Sequence, residues 1–169
     1  MLPNKQDVRK LLKQAQILRP PVSVEKIAEH LGLDIRYAPF EGDLSGALVR
    51  TKDESYIGVN SYHHSNRQRF TIAHEIAHFI LHKGLRVHVD KEFWVNWRDD
   101  ELSKAVKWQE IQANQWAAEL LMPTEFVLRD INKLKRLDKR AMQSLSKRYK
   151  VSPKAMQIKL ENLGLVIPE

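Results

Sequence analysis

The stretch Arg69-Phe70-Thr71-Ile72-Ala73-His74-Glu75-Ile76-Ala77-His78-Phe79-Ile80-Leu81 decides how this chain is read. No Gly or Pro falls between Arg67 and Lys83, and large apolar residues surround the pentad His74-Glu75-Ile76-Ala77-His78, so the pattern predicts a buried helix. On that helix His74 and His78, four residues apart, project from one face, where two imidazoles can grip a single zinc ion. Glu75 adjoins the first of them, placed to take a proton from water on the metal and later return it to a leaving amine. The chemistry implied is peptide hydrolysis. Two imidazoles and a carboxylate buried with no metal or partner would carry a heavy desolvation cost. His82, Lys83 and Gly84 mark the helix C-terminus, with cationic side chains in the last turn and a residue free to turn left-handed.

A catalytic zinc needs a third protein ligand and one open position. His82 fails on distance: eight residues of helix separate it from His74 by about 12 Å of rise, whereas zinc lies about 2 Å from each ligating nitrogen. A metzincin would carry a glycine and a third histidine where this chain has Leu81 and Gly84, which excludes that class. A second long apolar-periodic segment, Glu101 to Met122, offers Glu110, with Asn114 four residues on. Glu110 can face the metal while the Asn114 amide accepts a hydrogen bond from the far nitrogen of a ligating histidine. A surface carboxylate is the plain alternative for Glu110. Glu119 on the same helix lacks an Asn at that spacing.

Arg69-Phe70-Thr71-Ile72-Ala73-His74-Glu75-Ile76-Ala77-His78 and the run from Glu110 to Pro123 resemble the two signature helices of the ImmA/IrrE metallopeptidases, RFTxAHExxH and ExxxN…FAAxLLMP. Trp116 stands where the family usually has Phe. Upstream, Pro21 to Ala28 and Gly32 to Ile35 look like the family's opening helix and strand, and Ser45 to Leu48 with Ile57 to Asn60 like its hairpin. The resemblance implies an α+β fold akin to a minimal thermolysin, a small gluzincin. It implies zinc on His74, His78 and Glu110, Glu75 as general base and Asn114 in support. It also makes Leu44 to Val49 the candidate for an edge strand above the site that pairs with an extended substrate through its main chain, with plain sheet structure as the rival role.

The 169 residues suit one compact domain, with no Gly/Ser- or Pro-rich linker. The expected organisation is a metallopeptidase core over 1–128 and a basic helical segment over 129–169 packed on the same domain. Zero cysteines exclude disulfides and thiolate ligands and fit a reducing cytoplasm. No apolar run reaches the roughly twenty residues of a membrane span, and no signal-peptide core opens the chain, so the expected location is cytoplasmic.

Helices are expected near Lys5 to Leu18 and Ser23 to His30, before Gly32. Strands follow at Ile35 to Ala38, Ala47 to Arg50 and Tyr56 to Val59, with a polar turn over 51–55, giving a small antiparallel sheet. Leu85 to Asp100, with Phe93, Trp94 and Trp97, reads as a loop by the cleft.

Residues 1–128 carry 17 Lys/Arg against 17 Asp/Glu and residues 129–169 carry 11 against 4, so the whole +7 excess lies in the last quarter. That segment reads as two helices, Lys139 to Tyr149 and Pro153 to Asn162, with Ser152 as N-cap and Pro153 at the first helical position. The spacing is that of a helix-turn-helix, with Lys154, Gln157 and Lys159 as residues that would face DNA. Direct DNA contact ranks below a protein partner, since a solvated basic face explains the charge equally well. The leading expectation is a zinc endopeptidase making site-specific cuts in a helix-turn-helix repressor or antitoxin-type protein of a phage, mobile element or stress regulon. The alternative is a non-proteolytic, toxin-like or regulatory binding module with a structural zinc, paired with a DNA-binding regulator. Tyr62, His63, His64, Arg67 and Arg69 lie near the start of the motif helix as candidates for stabilising an oxyanion, none singled out by sequence.

Overall fold

The computed structural model describes residues 5–83, 87–91 and 100–165. Helix α1 (Lys5–Gln14) leads to α2 (Val24–His30), where Ser23 caps the N-terminus by accepting from the Lys26 amide at 3.2 Å. Gly32, with φ +71°, then turns the chain out of the helix. Strands β1 (Asp34–Ala38), β2 (Leu44–Arg50) and β3 (Ser55–Asn60) follow, and the turn after β2 is closed by the Thr51 amide on the Glu54 carbonyl at 2.8 Å. Among the described residues the sheet has four strands, in the order β1-β3-β2-β4.

Two expectations are corrected here. The sheet is mixed, because β1 runs parallel to β3 instead of pairing with β2. The short turn commits β2 and β3 to one antiparallel hairpin, so β1 is left the far side of β3. Asn60, at the end of β3, holds that crossing by donating to the Leu44 carbonyl at 2.8 Å and the Phe40 carbonyl at 3.3 Å. Secondly, β2 is not an edge. Val87–Lys91, read from sequence as part of a loop, forms β4 and pairs antiparallel with β2, with a register shift between Leu44 and Gly46. Its alternation of exposed Val87, partly buried His88 and exposed Val89 is that of a strand with one face inward. Phe93, Trp94, Trp97 and Gly84 lie outside the described residues.

Helix α3 (Ser65–Leu81) packs against β2 and β3, and its residues Thr71 to His78 are all buried. The sheet approaches it closely at Gly46. A Cβ there would collide with the Thr71 methyl group and stand 2.8 Å from the Gly58 carbonyl oxygen. Helix α4 (Asp100–Leu121) lies along α3. It is followed by α5 (Thr124–Ile131), which sequence reading leaves unassigned, then α6 (Lys139–Tyr149) and α7 (Pro153–Asn162). Ser152 caps α7 as its spacing predicts, accepting from the Ala155 amide at 3.1 Å.

One apolar cluster runs from Val8 to Leu160 and takes residues from every helix. Two polar clusters are buried beside it. Asp130 accepts from Arg148 Nε at 2.8 Å and from the Tyr149 hydroxyl at 3.0 Å, tying α5 to α6. Lys159 donates to Glu119 Oε2 at 2.6 Å and Thr124 Oγ1 at 2.9 Å, tying α7 to the junction of α4 and α5. Lys159 is only 8% exposed, so it does not present a charge to DNA as the helix-turn-helix spacing implies. Nor does Glu119 lie free as a rival ligand. No helix among the described residues is long and apolar enough to cross a membrane.

Candidate metal centre

His64 caps α3, its Nδ1 accepting from the Asn66 amide at 3.2 Å, and His82 closes it with its amide on the His78 carbonyl at 3.0 Å. Arg50 from β2 supports that C-terminal end. Its Nη2 donates to the carbonyls of Phe79 at 2.9 Å and His78 at 3.1 Å, while its guanidinium lies 4.5 Å over the Phe79 ring. A cation here adds a second donor to the His78 carbonyl, supplies one to the Phe79 carbonyl, and opposes the negative end of the helix dipole. The motif helix is thereby fixed to the sheet at the turn that carries His78.

His74, Glu75 and His78 are 2%, 0% and 0% exposed. Their four-residue spacing brings His74 Nε2 and His78 Nε2 to 3.0 Å from each other. Glu110 enters from α4, with Oε2 3.1 Å from His74 Nε2 and Oε1 3.2 Å from His78 Nε2. Asn114, one turn along α4, places Oδ1 2.9 Å from His74 Nδ1. With Nδ1 donating to that amide oxygen, His74 turns a bare nitrogen lone pair toward Glu110 and His78. The structure thus brings together the four side chains picked out by spacing.

The donor set fits zinc. Ligands about 2.1 Å from a tetrahedral ion stand roughly 3.4 Å apart, close to the 3.0–3.2 Å separations of these three groups. Their protonation suits a metal as well. Burial pushes His78 down to about 4, against the opposing pull of Glu110, so its imidazole is neutral at neutral pH. Burial also opposes ionisation of Glu110, but the surrounding imidazoles of His74, His78 and His88 prevail and hold its carboxyl well below the usual range. The neutral imidazole of His78 and the ionised carboxylate of Glu110 are the forms that bind a metal.

Sequence reading misses His88. It reaches the centre from β4, with Nε2 2.8 Å from Glu110 Oε1 and Nδ1 3.0 Å from Glu75 Oε2, and its ring stacks on His78 with centroids 3.7 Å apart. One ligand atom from each of His74, His78, His88 and Glu110 falls within 4.8 Å of the others. Burial disfavours the charged form of His88, yet the hydrogen bonds and charges of Glu110 and Glu75 win and raise it to about 10. The signal available was the alternation Val87-His88-Val89-Asp90, masked by the irregular sequence after it.

Of the candidate oxyanion donors, the two arginines are engaged elsewhere. Arg69 donates to the Val22 carbonyl at 2.9 Å, Arg67 to Ser45 Oγ at 3.0 Å, and Tyr62 is 78% exposed. Beside the centre, a groove of about 790 Å³ opens between α3, α4 and α7, reaching Asn114 and Phe70 and walled by Leu121, Met122 and Ile158.

The family model of the IrrE N-terminal-like domain, Peptidase_M78, matches residues 28–161. The chain belongs to this family. The IrrE N-terminal-like domain is a metallopeptidase domain, which agrees with a His/Glu cluster able to hold a metal. Its α+β fold is shared with a solved structure described as a Mycobacterium tuberculosis transcriptional regulator, at a TM-score of 0.62 and 14% identity. The match covers 93% of this chain and 46% of that protein, so the chain spans less than half of the regulator's length. A comparison with curated protein sequences found no match.

Proposed function

We propose that this member of the IrrE N-terminal-like family is a zinc-dependent endopeptidase that makes site-specific cuts in a protein partner. The observation that carries this reading is the convergence of His74 Nε2, His78 Nε2 and the Glu110 carboxylate within 3.0–3.2 Å, with the Glu75 carboxylate beside the cluster and outside it. A zinc ion bound by these residues would polarise the scissile carbonyl and acidify a water. Glu75 is the group that takes the proton from that water and returns it to the leaving amine. Asn114 holds His74 in the tautomer whose Nε2 is bare. Phe70, Leu121, Met122 and Ile158 offer a dry wall to a substrate side chain, and burial around Glu75 strengthens its interactions by excluding water.

The partner we propose is a helix-turn-helix repressor or antitoxin-type regulator, encoded beside this chain on a phage, mobile element or stress regulon. Cleaving it would switch genes on. The family membership and the fold shared with a transcriptional regulator support a role in regulation. Among the described residues β1 and β4, not β2, are the sheet edges, and the outer side of β4, the strand that carries His88, is the one we propose an extended substrate segment joins.

One observation favours a second reading, a binding module with a structural zinc: His88 supplies a fourth donor, and structural zinc sites have four protein ligands. The two readings part on Glu75, which a structural site does not need. Zinc-loaded wild type and Glu75→Gln are each incubated with the neighbouring regulator and followed by intact-mass spectrometry. Discrete products from the wild type alone support the peptidase. A stable uncleaved complex with both proteins supports the module.

A further inference from the structure

Apart from its place in the cluster, His88 has features that a plain core histidine does not need. It stands between the two carboxylates the proposed reaction uses differently, Glu75 as base and Glu110 as ligand, at 3.0 and 2.8 Å. Its Nε2 converges on Glu110 Oε1, the same oxygen that lies 3.2 Å from His78 Nε2. The side chain is only 13% exposed, whereas Val87 and Val89 on either side are 56% and 44% exposed. Of these three consecutive residues, His88 is the one that ties β4 to the centre.

Zinc takes four ligands, and a catalytic site leaves the fourth place to water. In this chain a third imidazole, His88, stands between the ligand Glu110 and the base Glu75, within hydrogen-bonding distance of both. We infer that His88 is a fourth metal ligand carried on β4, which keeps the centre closed at rest and must leave before hydrolysis can begin. This rests on the zinc site proposed above and adds its regulation. With His88 bound, the metal has four protein donors, and no position remains for the water that Glu75 would deprotonate. The ring stacks on His78 at an angle of 22°, and one ligand atom from each of His74, His78, His88 and Glu110 lies within 4.8 Å of the others.

The strand is suited to release. Among the described residues β4 pairs with β2 alone, and its register is broken between Leu44 and Gly46. The three-ligand set comes entirely from α3 and α4, which pack on each other independently of β4. Withdrawal of the strand therefore exposes a complete catalytic centre without dismantling it. Any partner that engages β4 becomes an activator.

Zinc K-edge X-ray absorption on the zinc-loaded full chain counts the imidazoles on the metal and needs no turnover. The expected result is three imidazoles in the wild type and two in His88→Phe, a change that keeps an aromatic ring over His78. Zinc loss to a chelator should be about tenfold faster in His88→Phe, the scale on which such supporting groups act. Two imidazoles in both proteins would overturn the fourth-ligand role and leave the three-ligand site standing. Failure of the wild type to hold one zinc per chain, or full retention of zinc in His74→Ala/His78→Ala, would overturn the underlying site and this inference with it. The wild-type spectrum alone decides the question if His88→Phe does not fold.

Discussion

Gly46 is where the sheet touches the helix that carries the site, and Gly46→Ala tests how much the centre depends on that contact. An added Cβ would strike the Thr71 methyl group and approach the Gly58 carbonyl oxygen to 2.8 Å. Neither neighbour yields easily. Thr71 is β-branched, 2% exposed and held in α3, and the Gly58 carbonyl belongs to β3, which pairs with β2 at this point. Relief requires β2 to lift away from α3, and overpacking of this kind costs about 1–3 kcal/mol. For a chain of this size that is a fall of roughly 2–12 °C in Tm. Thermal and urea unfolding, followed by circular dichroism, would measure it. Thr71→Ser removes the methyl group and retains the hydroxyl, so the double variant should recover part of the loss, while the Gly58 contact keeps the remainder. A Gly46→Ala protein within about 0.5 kcal/mol of wild type, the range of an ordinary surface change, would refute the reasoning. So would a double variant in which the two effects merely add.

Three other perturbations reach different parts of the account. Lys159→Met should cost about 3–5 kcal/mol in urea unfolding, because it strands the Glu119 carboxylate, 14% exposed, without its cation; a loss below about 1 kcal/mol would show that the pair does not hold α7 in place. Asn114→Ala should weaken zinc binding about 10- to 100-fold in a chelator competition, and unchanged affinity would remove Asn114 from its supporting role. Tyr149 is raised well above an ordinary phenol, by burial first and then by the charge and hydrogen bond of Asp130. The folded protein therefore keeps this proton after the unfolded chain has released it. The stability it contributes is fully present below about pH 10 and is lost as pH climbs above that value. Tyr37 is also raised, by burial, but less; an ultraviolet titration should therefore find that the last of the four tyrosines to ionise is lost in Tyr149→Phe, and its persistence in that variant would contradict the assignment.

The parts of this chain that repeat at helical spacing could be read directly. The pairs His74/His78 and Glu110/Asn114 each sit four residues apart, and a helix turns that spacing into a shared face whatever surrounds it. The limits of α7 were equally legible, since Ser152, Pro153 and Gly164 are strong end signals. What escaped depends on contacts distant in sequence. The choice of β3 as partner for β1 is fixed by the tight β2–β3 turn and by the Asn60 side chain, neither of which leaves a mark in the composition of β1. Strand β4 has only five residues, and its covering of β2 follows from pairing that no local pattern encodes. His88 was missed for the same reason. Its role in the centre comes from the strand it rides on, thirteen residues from Glu75. Lys159 erred in the opposite direction: its place in a helix-turn-helix spacing suggested exposure, and Glu119 from α4 draws it inside.

The claim on which the rest depends is that His74, His78 and Glu110 hold one zinc while Glu75 stays off it. Native mass spectrometry of dialysed protein reads this directly in wild type, Glu75→Gln and the double variant His74→Ala/His78→Ala. The account predicts one zinc per chain in the first two and none in the third. Loss of zinc from Glu75→Gln, or its retention in the double variant, would contradict it.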